Sequence, residues 1–206
     1  MKRMILAIFA TLLLMASTSF AATQATNTNT VSPTLQISAT IVSAVQLTLA
    51  QGASGTACTL TPGANPDYSM SFGTVDALAI TAGGCGQRYT PAQTGADAVY
   101  YTDYQLTPSF ASQPNSANPQ ISAYVSTVFG TANIKVVRDT ANSAAAPAAN
   151  GFSLMSTNNA AQDTIATAVA SGTALTRYIG VDIAPTNGAG MTGAKSATVT
   201  FTLTVN

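Results

Sequence analysis

The chain has 206 residues, 47% hydrophobic and only 7% charged, with seven basic residues balanced by seven acidic ones. Histidine and tryptophan are absent, and every acidic residue is an aspartate, so the commonest general base and metal ligand are missing and the usual serine and cysteine triads cannot be built. So few cations cannot release many counterions from a phosphate backbone, which argues against nucleic-acid binding, and the composition predicts neither an enzyme nor a cofactor.

In chain order, the first predicted element is an export signal over residues 1–22. Lys2 and Arg3 form its basic start, Ile5 to Met15 its apolar run, and Ser19 and Ala21 its small-residue approach to a cleavage site. That run is shorter than the roughly 20 residues of a membrane-spanning helix, and no later stretch is apolar enough to cross a bilayer. Cleavage leaves roughly 185 residues, the size of one ordinary domain. Residues 23–33 are polar and repetitive and predict a flexible leader. Residues 34–206 are then expected to form one domain.

From Leu35 the pattern changes to period two. Leu35, Ile37, Ala39, Ile41, Val45, Leu47 and Leu49 are apolar at alternate positions, interrupted only by Ser43, which is the signature of a strand with one buried face. At about 3.3 Å per residue the run spans roughly 50 Å, whereas a domain of this size is about 40 Å wide. Either the chain bends near Ser43 and Ala44, or its first part projects from the domain.

Further predicted strands follow. Residues 68–80 carry Met70, Phe72 and Val75, with Gly73 marking a bend. The next strand, aromatic and β-prone from Val99 to Leu106, is expected to stop at Pro108. Residues 119–130 alternate through Ile121, Ala123, Val125, Thr127 and Phe129, and residues 132–139 form a short candidate edge strand with Lys135 and Arg138 as charge guards. Residues 159–170 suggest one or two helical turns, weakened by Thr and Val. Leu175, Ile179, Val181 and Ile183 share one parity, and a last strand alternates threonine with Val199, Phe201, Leu203 and Val205. The fold class is therefore all-β, an antiparallel β-sandwich. Cys58 and Cys85, an even pair in a chain predicted to be exported, are expected to form a disulfide.

The remaining motifs favour structure over chemistry. Gly188, Gly190 and Gly193 spell G-x-G-x-x-G, but a strand follows where a phosphate-binding loop needs a helix, so a hairpin loop is expected. Asp97 and Asp103 flank an aromatic run and Asp67 follows Pro66. Their spacing matches no calcium loop, and solvated turn and edge aspartates are expected. Tyr100, Tyr101 and Tyr104 split across both strand faces, and ordinary sheet packing is expected for them, an exposed Tyr101 touching a sugar or partner being the alternative.

Taken together, "ISATIVSAVQLTL", "MSFGTV" and the final "SATVTFTLTVN" resemble exported bacterial β-sandwich domains related to chaperone-usher pilins and spore coat protein U. The resemblance implies an immunoglobulin-like sandwich that is incomplete and is completed by strand exchange. The donor strand would come from residues 34–41, with Leu35, Ile37, Ala39 and Ile41 on its apolar face, and the acceptor edge would carry Val199, Phe201, Leu203 and Val205. It further implies a structural subunit of a surface fibre (pilus or fimbria) or coat. Such a subunit self-associates, passes through the periplasm to the cell surface, and is served by a periplasmic chaperone and an outer-membrane usher. The alternative from another class is a monomeric secreted adhesin or carbohydrate-binding module, in which residues 34–49 pair within their own sheet.

Overall fold

The computed structural model describes residues 45–89, 97–111, 118–185 and 191–205, together with Gln36 and Ser38. The chain divides after Ile41, and the fold belongs to the second unit, Val42–Asn206. Its strands are β1 (Val45–Gln51), β2 (Leu60–Pro62), β3 (Tyr68–Met70), β4 (Gln87–Tyr89), β5 (Ala98–Phe110), β6 (Gln120–Thr127), β7 (Ile134–Asp139), β8 (Phe152–Leu154), β9 (Asp163–Ala166), β10 (Leu175–Ile183) and β11 (Thr198–Thr204). All described pairings are antiparallel, as expected for a chain rich in β-branched and aromatic residues punctuated by polar turns.

The largest sheet has the order β1-β5-β10-β7-β8, and β4 lies along β5 below β1. A second sheet has the order β11-β6-β9, and β2 with β3 forms a separate hairpin. The main core takes residues from both sheets: Tyr104 and Leu106 of β5 and Val136 of β7 meet Ile121, Ala123 and Val125 of β6 and Ile165 of β9. A second cluster, with Ala98, Tyr100, Ile134 and Ile183, fills the opposite end of the large sheet.

Strand β5 is buried on both faces, which explains why its sequence is a nearly continuous β-prone run. Ala98, Tyr100, Tyr104 and Leu106 enter the two cores, while Val99 and Tyr101 join Val137 in an outer cluster with Tyr89, Phe152 and Tyr178. Tyr101 is therefore only 4% exposed, packed within the sheet as expected. The segment after β7 crosses this face, with the Tyr89 hydroxyl donating to Pro147 O and the Tyr178 hydroxyl to Ala144 O. Gly180 lets β10 lie close against β5 beside Tyr101, because a Cβ there would meet Tyr100 O at 2.5 Å and Tyr101 Cβ at 3.0 Å.

Several boundaries differ from the sequence expectations for local reasons. Strand β5 runs through Pro108 to Phe110 because β10 has not yet begun beside Pro108, so the missing N–H leaves no ladder partner unmet; Pro108 O accepts from Gly172 N at 2.7 Å. The expected strand over 68–80 shrinks to β3, because Gly73 turns the chain at φ +72° and Asp76 then organises a loop. Strand β7 is internal, between β10 and β8, and Arg138 points inward to Asp163 at 3.0 Å instead of guarding an edge. The helical expectation reduces to one 3₁₀ turn, Asn159–Ala161, capped by Asn158, after which the Thr-Ile pair continues as β9.

The Cys58–Cys85 disulfide is present, with Cα atoms 5.0 Å apart and a sequence separation of 27. It ties the segment after β1 to the approach of β4, two parts of the chain that share one flank of β5. The chain-entropy model assigns such a loop on the order of 3.5 kcal/mol. Replacing both cysteines by serine is therefore expected to lower unfolding stability by about 2–4 kcal/mol, read as a lower urea midpoint with a slope that is steeper, if it changes, because the unfolded chain is no longer cross-linked.

Candidate functional site

The strand registers fix the two ends of the domain. At the upper end, Val45 opens β1 opposite Phe110, and Thr204 closes β11 opposite Gln120. Residues 169–172 hold these parts together through Val169 N to Pro119 O, Gly172 N to Pro108 O and Ser171 Oγ to Phe110 O. At the lower end lie Ala98, Ile134 and Ile183, together with Thr127 and Thr198. Strand β1 therefore runs downward and β11 upward.

The two lateral flanks differ. On one, the segment after β8 crosses from the large sheet to the small one: Met155 N donates to Val136 O at 3.0 Å and Val125 N to Ser156 O at 2.8 Å. The Arg138–Asp163 ion pair and the Ser156 N–H on the Asp163 carboxylate close that side. On the other flank, β1 and β11 approach each other without pairing; among the described residues β1 bonds only to β5 and β11 only to β6.

The expected acceptor residues lie on this second flank. Val199, Phe201 and Leu203 pack on the main core together with Leu47 and Leu49 of β1, and all five are only partly buried. Phe201 tilts against Tyr104 with ring centroids 5.6 Å apart. Their neighbours on β6, Ile121 and Ala123, are fully buried. Val205 lies just beyond the strand and is half-buried. The result is an apolar seam, half covered, beside a backbone edge with no described partner. Leu47 and Leu49 complete its other wall, a role that their place in the long alternating run did not distinguish from ordinary core positions. The expected donor residues Leu35, Ile37, Ala39 and Ile41 lie outside the described residues, as do Gly188 and Gly190. Gly193 has φ +84° and leads into β11 rather than a helix.

The aspartates are structural rather than uniformly solvated. Asp103 is buried at 4% exposure and accepts from Ser54 N at 2.9 Å and from Ser54 Oγ. This pins the segment after β1, where a Cβ on Gly52 would strike the Asp103 carboxylate. Asp139 is also buried, and burial pushes its carboxyl upward. Asp67 sits in the expected turn, its carbonyl accepting from Gly63 N at 2.7 Å. Asp182 of β10 is pushed up to about 6 by burial and by the neighbouring Asp97, partly offset by Lys135 opposite it on β7. Among the described residues no group of three or more Cys, Asp or Glu side chains is placed to hold a metal ion. No described helix is long and apolar enough to cross a membrane.

Comparison with protein-family models, curated proteins and solved structures finds no match to this chain.

Two predictions follow from this geometry. Ile121→Ala, at a fully buried site, is expected to cost about 3–4 kcal/mol. Phe201→Ala is expected to cost less in the isolated chain despite removing more atoms, because the ring is only partly buried; chemical denaturation of both variants measures the difference. For Asp182, the folded chain holds the proton more tightly than the unfolded one, so stability falls as pH rises from its ordinary 3.8 through about 6. Asp182→Asn should accordingly raise the urea midpoint at pH 7.5 and leave it nearly unchanged at pH 3.5.

Proposed function

We propose that this chain is an exported structural subunit of a bacterial surface fibre or coat, an incomplete immunoglobulin-like β-sandwich whose seam beside β11 is filled by residues 34–41 of the next copy. The observation that carries this reading is the half-covered apolar wall of Leu47, Leu49, Val199, Phe201 and Leu203 beside the described edge of β11. An added strand supplies backbone partners to that edge and side chains to the seam at once.

Length and direction support the same reading. Residues 34–41 are eight in number and alternate as Leu35, Ile37, Ala39 and Ile41, against the seven residues of β11. In sequence the segment precedes β1, whose first residue, Val45, lies at the upper end. Stacked head to tail, it reaches the next copy from that copy's lower end and runs antiparallel to β11, the commoner and slightly more stable mode of pairing. Each large apolar anchor buried in the seam contributes about 1.5–3 kcal/mol, and Ala39 contributes less. The disulfide supports passage through an oxidising compartment. A periplasmic chaperone and an outer-membrane usher fit such an assembly, because a subunit with an open seam needs cover before its neighbour arrives.

The test uses the mature chain with Ile37→Asp and Ile41→Asp together. Sedimentation velocity is expected to show loss of polymers, and a synthetic peptide of residues 34–41 is expected to raise the melting temperature of this variant in a concentration-dependent way. Unchanged polymers, or no shift with saturating peptide, would contradict strand exchange and favour a monomeric secreted binding module.

A further inference from the structure

Residues 140–151, which join β7 to β8, fold back over the outer face of the large sheet as a strap. Both ends of the strap are pinned. At its base, Thr140 N and Thr140 Oγ1 donate to Gly151 O at 2.8 and 3.0 Å, just beyond the paired residues Asp139 and Phe152. The Asp139 carboxylate accepts from Ser143 N at 3.2 Å, and Asn142 Nδ2 donates to Thr164 O at 3.0 Å. On the return, Gly151 N donates to Ala148 O at 2.8 Å. Between these fixed points the sequence runs Ala144, Ala145, Ala146, Pro147, Ala148, Ala149.

Beneath this middle stretch lies an aromatic surface. Tyr101 is stacked on Tyr89 with ring centroids 5.0 Å apart and tilted against Phe152 at 4.9 Å and Tyr178 at 6.3 Å. The Tyr101 hydroxyl is used within the surface, donating to Gln87 Oε1. The Tyr89 and Tyr178 hydroxyls instead donate to the strap, at Pro147 O and, at 3.2 Å, Ala144 O. Ala144, Ala145, Ala146 and Ala148 are exposed, and the partly buried side chains packed on this cluster are Tyr89, Phe152 and Tyr178, with no alanine of the strap among them. The middle of the strap is therefore held by its backbone carbonyls rather than by packed side chains. Each such bond is worth only about 2- to 12-fold in an equilibrium constant.

Two hydroxyl donors on an aromatic surface, meeting carbonyls three residues apart, form the arrangement that reads proline-containing peptides. An extended peptide of this kind has three residues per turn, so carbonyls i and i+3 face one side. Small side chains let its backbone approach the rings, and proline brings no N–H to be left unpaired against them. We infer that the surface formed by Tyr89, Tyr101, Phe152 and Tyr178 is a binding site for extended peptides rich in alanine and proline, with residues 144–149 occupying it as a displaceable strap. The Thr140–Gly151 pin lets the middle of the strap leave without unpairing β7 from β8. An incoming peptide then offers its own carbonyls to the same two hydroxyls. It competes with a tethered segment whose effective concentration is in the millimolar range, so the strap sets the threshold for binding. The seam residues pack on a different cluster, and the inference does not depend on strand exchange.

The test uses the mature chain, a shortened form with residues 144–149 replaced by two glycines, and a synthetic peptide of residues 143–150. Because the chain has no tryptophan, tyrosine emission reports on the rings directly. The shortened chain is expected to bind the peptide saturably, and the intact chain at least about tenfold more weakly. Tyr89→Phe together with Tyr178→Phe is expected to weaken binding to the shortened chain at least about fivefold. No saturable binding by a shortened chain that keeps the parent's urea midpoint, equal affinity of the intact chain, or indifference to the two hydroxyls would each overturn the inference. A second measurement leaves the strap at full length: a protease that cuts after small residues is expected to cleave within residues 144–149 at least about fivefold faster in the Tyr89→Phe, Tyr178→Phe chain than in the parent. Equal rates would mean that these hydroxyls do not hold the strap, which also overturns the inference.

Discussion

The fold depends on how the two flanks of β5 are shared. β10 takes one side, while β1 and β4 divide the other, the first along Tyr104–Phe110 and the second along Val99–Tyr101. The disulfide anchors this division by joining the chain just after β1 to the chain just before β4. As a result β1 ends at Gln51 and does not run the full length of the domain beside β11. Among the described residues a backbone edge and a row of partly buried apolar side chains are left together on one flank, and both are costly to leave in water.

The opposite flank shows what a closed side looks like in the same protein. There the segment after β8 supplies backbone bonds to both sheets, and Arg138 with Asp163 adds an ion pair across them. Burial follows accordingly: Ile165 of β9 is almost fully enclosed, while Val199, Phe201 and Leu203 of β11 are not. The difference does not come from composition, since both strands combine threonine with branched aliphatics. It comes from having a neighbour on one flank and lacking a described one on the other.

Much of this was legible in the sequence because period-two alternation survives wherever a strand has one buried face. Ile121, Ala123 and Val125, the Leu175–Ile183 parity and the final threonine-alternating strand all lie in strands as expected, and the Cys58–Cys85 pair is bonded. The failures share a cause, which is cover supplied by distant chain. Asp103 resembles an exposed strand position until Ser54 is folded over it. Arg138 resembles an edge guard until β8 pairs beyond it. Strand β3 ends early because Asp76 offers three N–H groups a local partner, a competition that alternation alone does not reveal. The acceptor wall was visible on β11, but its other half, Leu47 and Leu49, became assignable only once the sheet order was known.

The central proposal is that the flank left open among the described residues of one copy is closed by another. Electron microscopy of the purified mature protein tests it most directly. The account predicts unbranched linear polymers whose subunit repeat is about the length of one domain. A field of monomers at concentrations well above micromolar would contradict it.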